Sequence, residues 1–332
     1  MRIGVGPTRV TRRDLQAARV TVCMVVCIPD QLGYSAHRFD VLRLCLRSLL
    51  CHTPEDSYDL FVLDNGSCAE VVDYLRELHD RGDIDCLMLL GRNIGKINAC
   101  RMIFEAATGD VIAYSDDDIF FSQGWLEAQL NLLDTFPRVG MVSARPVRKQ
   151  FGYGNRYLPA YLSDFPDVAV EYGHFIPDEW EVEFLRSTGR SVTGLASIKE
   201  SRTDIRLEYR GLQAYSTAAH FQFLAPKSLI LVGWARGADR VTGSEERRIE
   251  ESIDEMGYAR LSTMERYVRH IGNVVTRDLL EEVGGSLPPV EDLVLWSPPS
   301  PLLARLARPR LVRAILRRLN EWSYALLHYQ IR

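Results

Sequence analysis

Residues 111–121 read VIAYSDDDIFF, a short apolar run that ends in three consecutive carboxylates, Asp116, Asp117 and Asp118, followed by Ile119 and two phenylalanines. Adjacent like charges repel, and the repulsion is relieved by a cation or by a row of amide donors. A buried run that delivers polar side chains at its end suits a strand of an open α/β sheet, whose ligands lie beyond the C-terminal strand ends. If the backbone stays extended through the triplet, Asp116 and Asp118 point to one side and Asp117 to the other. The pair that can cooperate is then Asp116 with Asp118. Carboxylate oxygens without histidine or thiolate neighbours suit a hard cation, Mg²⁺ or Mn²⁺, which keeps open positions for phosphate oxygens. A solvated acidic turn has the same three letters, so the flanking segments decide between the two.

Working outward, short β-rich runs alternate with amphipathic helices. Residues 20–28 form a near-continuous apolar run, as expected of a strand buried on both faces. Residues 40–50 carry leucines at 42, 44, 46, 49 and 50, a helix packed on a sheet. Residues 58–63 are a second strand ending in the turn-forming Asp64-Asn65-Gly66-Ser67. A helix over 69–78, a strand over 86–90, a helix over 97–107 with Gly109 as its C-cap candidate, and the strand 111–115 follow. A further helix spans 125–136 and a strand 139–144. This alternation predicts an α/β fold with a mostly parallel central sheet flanked by helices. Residues 151–210 are aromatic, charged and aperiodic, and predict long loops; regular structure resumes near Ala218 and closes near Asn273.

The 332 residues, 46% hydrophobic and 25% charged, suffice for one large domain with appendages or two small ones. A net charge of −4 gives no whole-chain field for nucleic acid. The seven cysteines all fall in the first third without CxxC spacing, and read as reduced thiols used as small hydrophobes. Residues 1–20 contain no apolar secretory core, and no apolar run approaches the roughly 20 residues of a spanning helix. The expectation is a cytoplasmic protein, with any membrane contact peripheral at the inner face.

Residues 89–110, LLGRNIGKINACRMIFEAATGD, place an Asn-x-Gly-Lys turn at a helix start just ahead of the acidic strand. A helix N-terminus with Lys96 or Arg92 nearby is a natural diphosphate site. Asp64, at an earlier strand end, can accept hydrogen bonds from a base or a ribose. Together these parts suit a nucleoside diphosphate and its metal.

Read together, the strand ending CIPD, the helix VLRLCLRSLL, VLDNGS, RNIGKINACRMIFEAATGDVIAYSDDDIFFSQGWLE, and GSEERRIEESIDEMGYARL followed by YVRHIGN resemble a family 2 glycosyltransferase of the GT-A fold. The resemblance runs over roughly residues 18–275 in the family's order. It implies a GT-A domain over 18–275, with a Rossmann-like nucleotide-sugar-binding half at 18–145 and an acceptor-binding half at 146–275. An N-terminal extension, 1–17, and a proline-rich tail with a basic amphipathic helix, 276–332, flank it. It also implies a metal-dependent, inverting transfer of a sugar from a nucleoside-diphosphate sugar to a hydroxyl acceptor, whether a glycan, a lipid-linked glycan or a small molecule.

Position by position, the resemblance makes Asp64 the aspartate that reads the base, and Asp116 with Asp118 the DxD pair on ribose and metal. Pro29, Asn65, Asn93, Gly95, Lys96 and Asp117 complete the nucleotide-sugar set, and His270 matches a histidine that binds metal or diphosphate in some relatives. Ser244-Glu245-Glu246-Arg247 stands where the family has Glu-Asp, whose second residue is the base. Counting back from Gly257-Tyr258 puts Glu246 there, with Glu245 as the rival, and glutamate replaces aspartate at that position. The same residues also read as a plain helix start, with Ser244 as N-cap, acids in the first turn and Ile249, Ile253 and Met256 as a buried stripe. His270 is equally readable as a core histidine, and Trp125 as core. Tyr153, Tyr157, His174, Trp180 and His220 are candidates for an acceptor pocket.

In the tail, apolar residues at 312, 315, 316, 319, 322 and 326 oppose Arg310, Arg313 and Arg317. That helix would pack on its own domain, join a second copy in a homo-oligomer, or lie on an anionic membrane. Two other functions fit parts of the pattern. A sugar nucleotidyltransferase shares the sheet but needs a glycine-rich first loop, and CIPDQLGYSAHRF has one glycine. A degenerate transferase domain serving as a scaffold would not be expected to keep the acidic triplet and paired glutamates.

Overall fold

A computed structural model of the chain describes residues 17–152, 155–190, 192, 202–237 and 245–283. Strand β1 (Val20–Val26) lies between β2 (Asp59–Asp64) and β4 (Val111–Ser115), and β3 (Cys86–Leu89) flanks β2; all these pairings are parallel. The connections are α1 (Arg38–His52), α2 (Ala69–Asp80) and α3 (Lys96–Ala106). Parallel strands need such crossovers, and the strand–helix alternation of the sequence is their signature.

Period-2 alternation, with both faces covered, explains why β1 is apolar apart from Thr21. Val20, Val22, Met24 and Val26 pack on Leu42, Leu46, Leu49, Val71 and Leu75 of α1 and α2. Cys23 and Val25 face the other way, onto Ala99, Cys100, Ile103 and Phe104 of α3. Each fully buried Val or Leu of this kind contributes ~1.5–3 kcal/mol. Cys23, Cys45 and Cys100 are buried free thiols, and all seven cysteines are free.

After β4 the chain turns into the short β5 (Ile119–Phe121), then α4 (Trp125–Thr135) and β6 (Val139–Ser143). The stretch read as long loops is more ordered than expected. It contains α5 (Leu158–Asp164), β7 (Ala169–Gly173), α6 (Asp178–Ser187) and β8 (Asp204–Tyr209), and β9 (Leu212–Tyr215) pairs antiparallel with β8. Elements this short give periodicity too few repeats to register. β10 (Gln222–Pro226) and α7 (Lys227–Gly237) follow, then α8 (Glu245–Glu255), β11 (Ala259–Ser262), β12 (Val268–His270) and α9 (Arg277–Val283).

The ten-stranded sheet has the order β3-β2-β1-β4-β10-β6-β11-β9-β8-β7. β10 enters antiparallel beside β4, so two halves meet at the end of β4. β5 and β12 form a separate antiparallel ribbon with His270 opposite Ile119. Gly109 is not a helix cap: Ala107 ends α3, and a Cβ at Gly109 would lie 2.5 Å from the Arg19 carbonyl oxygen. It is small because β1 begins against it. Among the described residues no helix is long and apolar enough to cross a membrane. The tail helix expected over 310–327 lies outside the described residues.

Candidate functional site

The C-terminal ends of β1, β2 and β4 converge on three loops. In the first, Asp64 is buried and accepts from the backbone N–H of Gly66 and of Ser67 at 3.2 Å, closing a turn that leads into α2. Two acceptor oxygens, each with two lone pairs, leave room for a ligand donor as well. Asn65 is buried, and its amide holds the second loop: Nδ2 donates to Asn93 Oδ1 at 3.0 Å, and Oδ1 accepts from Ile94 N at 2.9 Å. Asn93 Oδ1 also accepts from Gly95 N at 2.7 Å.

The two loops touch at Gly66, where φ is +85° and an added Cβ would meet Asn93 N at 2.7 Å. Gly66→Ala is therefore expected to lower the melting temperature by several degrees, and to weaken nucleotide binding several-fold by parting these loops. Left-handed backbone costs a β-carbon residue ~1–2 kcal/mol before the clash is counted. A melting curve beside a nucleotide titration checks both. Pro29, exposed, follows the buried Ile28, whose N–H donates to Ser67 Oγ at 2.9 Å.

The third loop is the acidic triplet. The backbone does not stay extended; it turns at 117 and 118 to enter β5. The three carboxylates accordingly have three different partners, rather than alternating across a strand. Asp116 Oδ1 receives Lys96 Nζ at 2.8 Å and Tyr114 Oη at 2.6 Å. Burial works to raise the Asp116 carboxyl, but Lys96 and Tyr114 outweigh it and hold it below the usual range. Asp117 pairs with Arg38 at the start of α1. Burial dominates there and pushes Asp117 up to about 6 despite Arg38, with Asp118 and Asp116 adding to the rise. Asp118 Oδ2 lies 3.5 Å from His270 Nε2, a proximity set by the Ile271 N–H, which donates to the Asp118 carbonyl at 2.8 Å. Burial and then the Asp116 charge push Asp118 up to about 7. His270 is half-buried against Phe184 and Phe221, and desolvation pushes it down to about 4, so that it presents a neutral ring.

The site thus concentrates carboxylates that are costly to ionise together. Asp118 Oδ1 and Asp117 Oδ2 are buried without a hydrogen-bond partner among the described residues. Orphaned hard oxygens beside a neutral imidazole fit a divalent cation such as Mn²⁺ or Mg²⁺. No set of three or more His, Cys, Asp and Glu side chains arranged to hold a metal occurs among the described residues. The chain would thus supply only part of a coordination shell, which is the habit of cations completed by phosphate oxygens and water.

Other expected residues fall as follows. Trp125 is core, its Nε1 donating to Thr53 Oγ1 at 2.8 Å. Tyr157 is also core, bonded to Ser216 Oγ at 2.7 Å, and His174 is exposed. Trp180 and His270 line a groove of about 1060 Å³ together with Tyr34, Glu183 and Arg269, so the groove opens beside the triplet. Tyr153 lies outside the described residues. Glu245 and Glu246 open α8, and their side chains lie outside the described ones; Ile249 and Ile253 of that helix are buried as expected. Arg38 and Tyr114 were not foreseen. Tyr114 was legible, since i and i+2 on a strand share a face. Arg38 was not, being 79 positions from its partner.

Residues 35–191 match the family model described as glycosyl transferase family 2, a span that includes the three loops and stops short of Glu246 and His270. A search of curated proteins found no match. Among solved structures, a mannosyltransferase from Pyrobaculum calidifontis in complex with GDP-Man and Mn²⁺ is similar at 16% identity and a TM-score of 0.41, covering 75% of this chain. This chain spans 55% of the length of that one. Over residues 35–191 the chain is similar to glycosyl transferase family 2, and that span holds the three converging loops of the α/β sheet.

Proposed function

We propose that the protein transfers a sugar from a nucleoside-diphosphate sugar to a hydroxyl acceptor, with inversion at the anomeric carbon. The observation that carries this reading is the half-buried Asp118 carboxylate, one oxygen of which is buried and unpartnered, beside an Asp116 already paired to Lys96. Asp116, Asp118 and His270 are the residues that would hold a divalent cation. When bound, such a cation supplies positive charge that stabilises the departing diphosphate.

The chain's own residues do the rest. Asp64, Asn65 and Asn93 shape the cradle for the nucleoside. Lys96 and the first N–H groups of α3 face the diphosphate, where a helix N-terminus favours anions. The groove beside His270, with the Trp180 side chain in its wall, receives the acceptor. Glu246 removes the acceptor proton as the hydroxyl oxygen bonds to the anomeric carbon. The bond from that carbon to the phosphate oxygen breaks, and its electron pair leaves with the diphosphate.

The test is a thermal-shift screen of nucleoside-diphosphate sugars with and without Mn²⁺. A ligand that binds only the native state raises the melting point, by ~2.7 kcal/mol of added stability at a hundred times its Kd. At least one sugar nucleotide is expected to raise it, and only with the metal. A flat response across the panel would overturn the reading.

A further inference from the structure

Helix α8 buries two of its carboxylates. Glu250 is fully buried and Asp254 nearly so, and both meet the equally buried guanidinium of Arg260 on β11. Arg260 Nε donates to Asp254 Oδ1 at 2.8 Å and Nη2 to Asp254 Oδ2 at 3.3 Å, while Nη1 lies 3.3 Å from Glu250 Oε2 as an ion pair. Two carboxylates thus share one guanidinium. Burial pushes Asp254 up to about 6, with Arg260 offsetting it only in part.

The cluster ties α8 to the ligand edge of the sheet. Glu250 Oε1 lies 2.9 Å from His220 Nδ1 and accepts from Gln150 Nε2 at 3.2 Å. Arg260 Nη1 donates to the Ala218 carbonyl at 3.3 Å. Ala218 and His220 lie on the segment that enters β10, and the next residue, Phe221, accepts from the Asp116 N–H at 2.8 Å. Two residues of α8 are therefore fixed to the stretch of chain bonded to the acidic triplet.

Stability does not account for such a cluster. Taking charges out of water costs several kcal/mol per ion, and a buried ion triad replaced by apolar residues of similar volume often leaves a protein as stable or more so. Ile249 and Ile253 already anchor α8 to the core. What charged groups supply and an apolar contact lacks is direction, since their hydrogen bonds hold only at fixed distances and angles. Glu246, the base in the proposed reaction, stands one turn before Glu250 in the same helix. The family match stops at residue 191 and assigns nothing to this cluster.

We propose that Glu250, Asp254 and Arg260 are positioning residues that fix the register of α8 against the ligand edge, and with it the placement of Glu246 toward the acceptor hydroxyl. The inference rests on reading Glu246 as the general base. A misplacement of about 1 Å costs a reaction up to ~10²-fold, so a loosened α8 is read directly in turnover.

The experiment is a double-mutant cycle in steady-state kinetics, run in Mn²⁺ with the sugar nucleotide that the thermal-shift screen selects and with water as the acceptor. Glu250→Gln keeps size and leaves Arg260 paired with Asp254, so no buried guanidinium loses its counter-ion. It is expected to lower kcat about tenfold, with the donor KM within about twofold of wild type. In a Glu246→Gln background the same change should cost less than about twofold, because the group it positions is gone. The melting temperature should change equally in both backgrounds. A triple variant, Glu250→Met with Asp254→Leu and Arg260→Met, removes the charges together; it should melt no lower than wild type and show the same loss of kcat. Wild-type kcat in either variant would overturn the proposal, as would a loss from Glu250→Gln that persists in full in Glu246→Gln. A Glu246→Gln chain with wild-type turnover would instead overturn the base assignment on which the inference rests.

Discussion

Asp118→Ala is expected to abolish sugar transfer and metal-dependent nucleotide binding while leaving the fold intact. The fold should even gain. In the metal-free chain Asp118 is pushed up to about 7 by burial and by the Asp116 charge, above the ordinary carboxylate value. A raised carboxylate pKa means that the folded state holds its proton more tightly than the unfolded one. Stability from this source is present below the unfolded-state pKa and is lost as pH rises from about 4 toward 7. Above pH 7 the metal-free wild type therefore carries a penalty that Asp118→Ala and Asp118→Asn lack. Both variants should melt higher than the wild type at pH 8 without metal, and the difference should shrink at pH 5. Adding Mn²⁺ and nucleotide should reverse the order, since only the wild type binds them. Full activity of Asp118→Ala in the presence of chelator would remove the metal from the account.

Glu246→Gln should cut turnover by ~10²-fold or more with little change in donor affinity, the scale of losing a positioned general base. The substitution keeps size and removes charge. Glu246 lies twelve residues before Tyr258, as the family's spacing requires, and within the first turn of α8. Glu245→Gln should be much milder. The reverse ranking would transfer the role to Glu245, and mild effects from both would point to a base elsewhere on the acceptor side. Steady-state kinetics with separate kcat and KM for donor and acceptor decide among these outcomes.

The parallel half of the sheet was legible because its signals are local. Residues 20–28, 58–63 and 111–115 each announce a buried strand through an unbroken apolar run, and Asp64, Asn65, Lys96 and Asp116 sit at the ends of those strands or the helix between them. The Lys96–Asp116 pair joins two segments that the motif reading already placed at one edge. What failed was geometry that depends on tertiary turns. Extended backbone through Asp116–Asp118 was a reasonable extrapolation of β4, but the chain reverses there to form the β5–β12 ribbon, so each carboxylate finds its own partner. Arg38 reaches the site only through long-range packing, which no spacing rule encodes, whereas His270 was named only through the family resemblance. The 151–210 stretch hid strands because β7 is short and exposed and β8 has only six residues, too few to alternate cleanly. Gly109 was misread for a related reason: its smallness serves a contact with the start of β1, 90 positions earlier, and a helix end beside it was only the nearer explanation.

In the proposed reaction the acidic triplet holds a divalent cation that carries a nucleoside diphosphate. Electron paramagnetic resonance of Mn²⁺, titrated with the chain in the presence and absence of UDP and GDP, tests this directly. The account predicts that one of the diphosphates converts free Mn²⁺ to a bound signal at one ion per chain, and that Asp118→Asn leaves the ion free. A wild-type chain that leaves Mn²⁺ free with both nucleotides, or an Asp118→Asn chain that binds it equally well, would contradict the central claim.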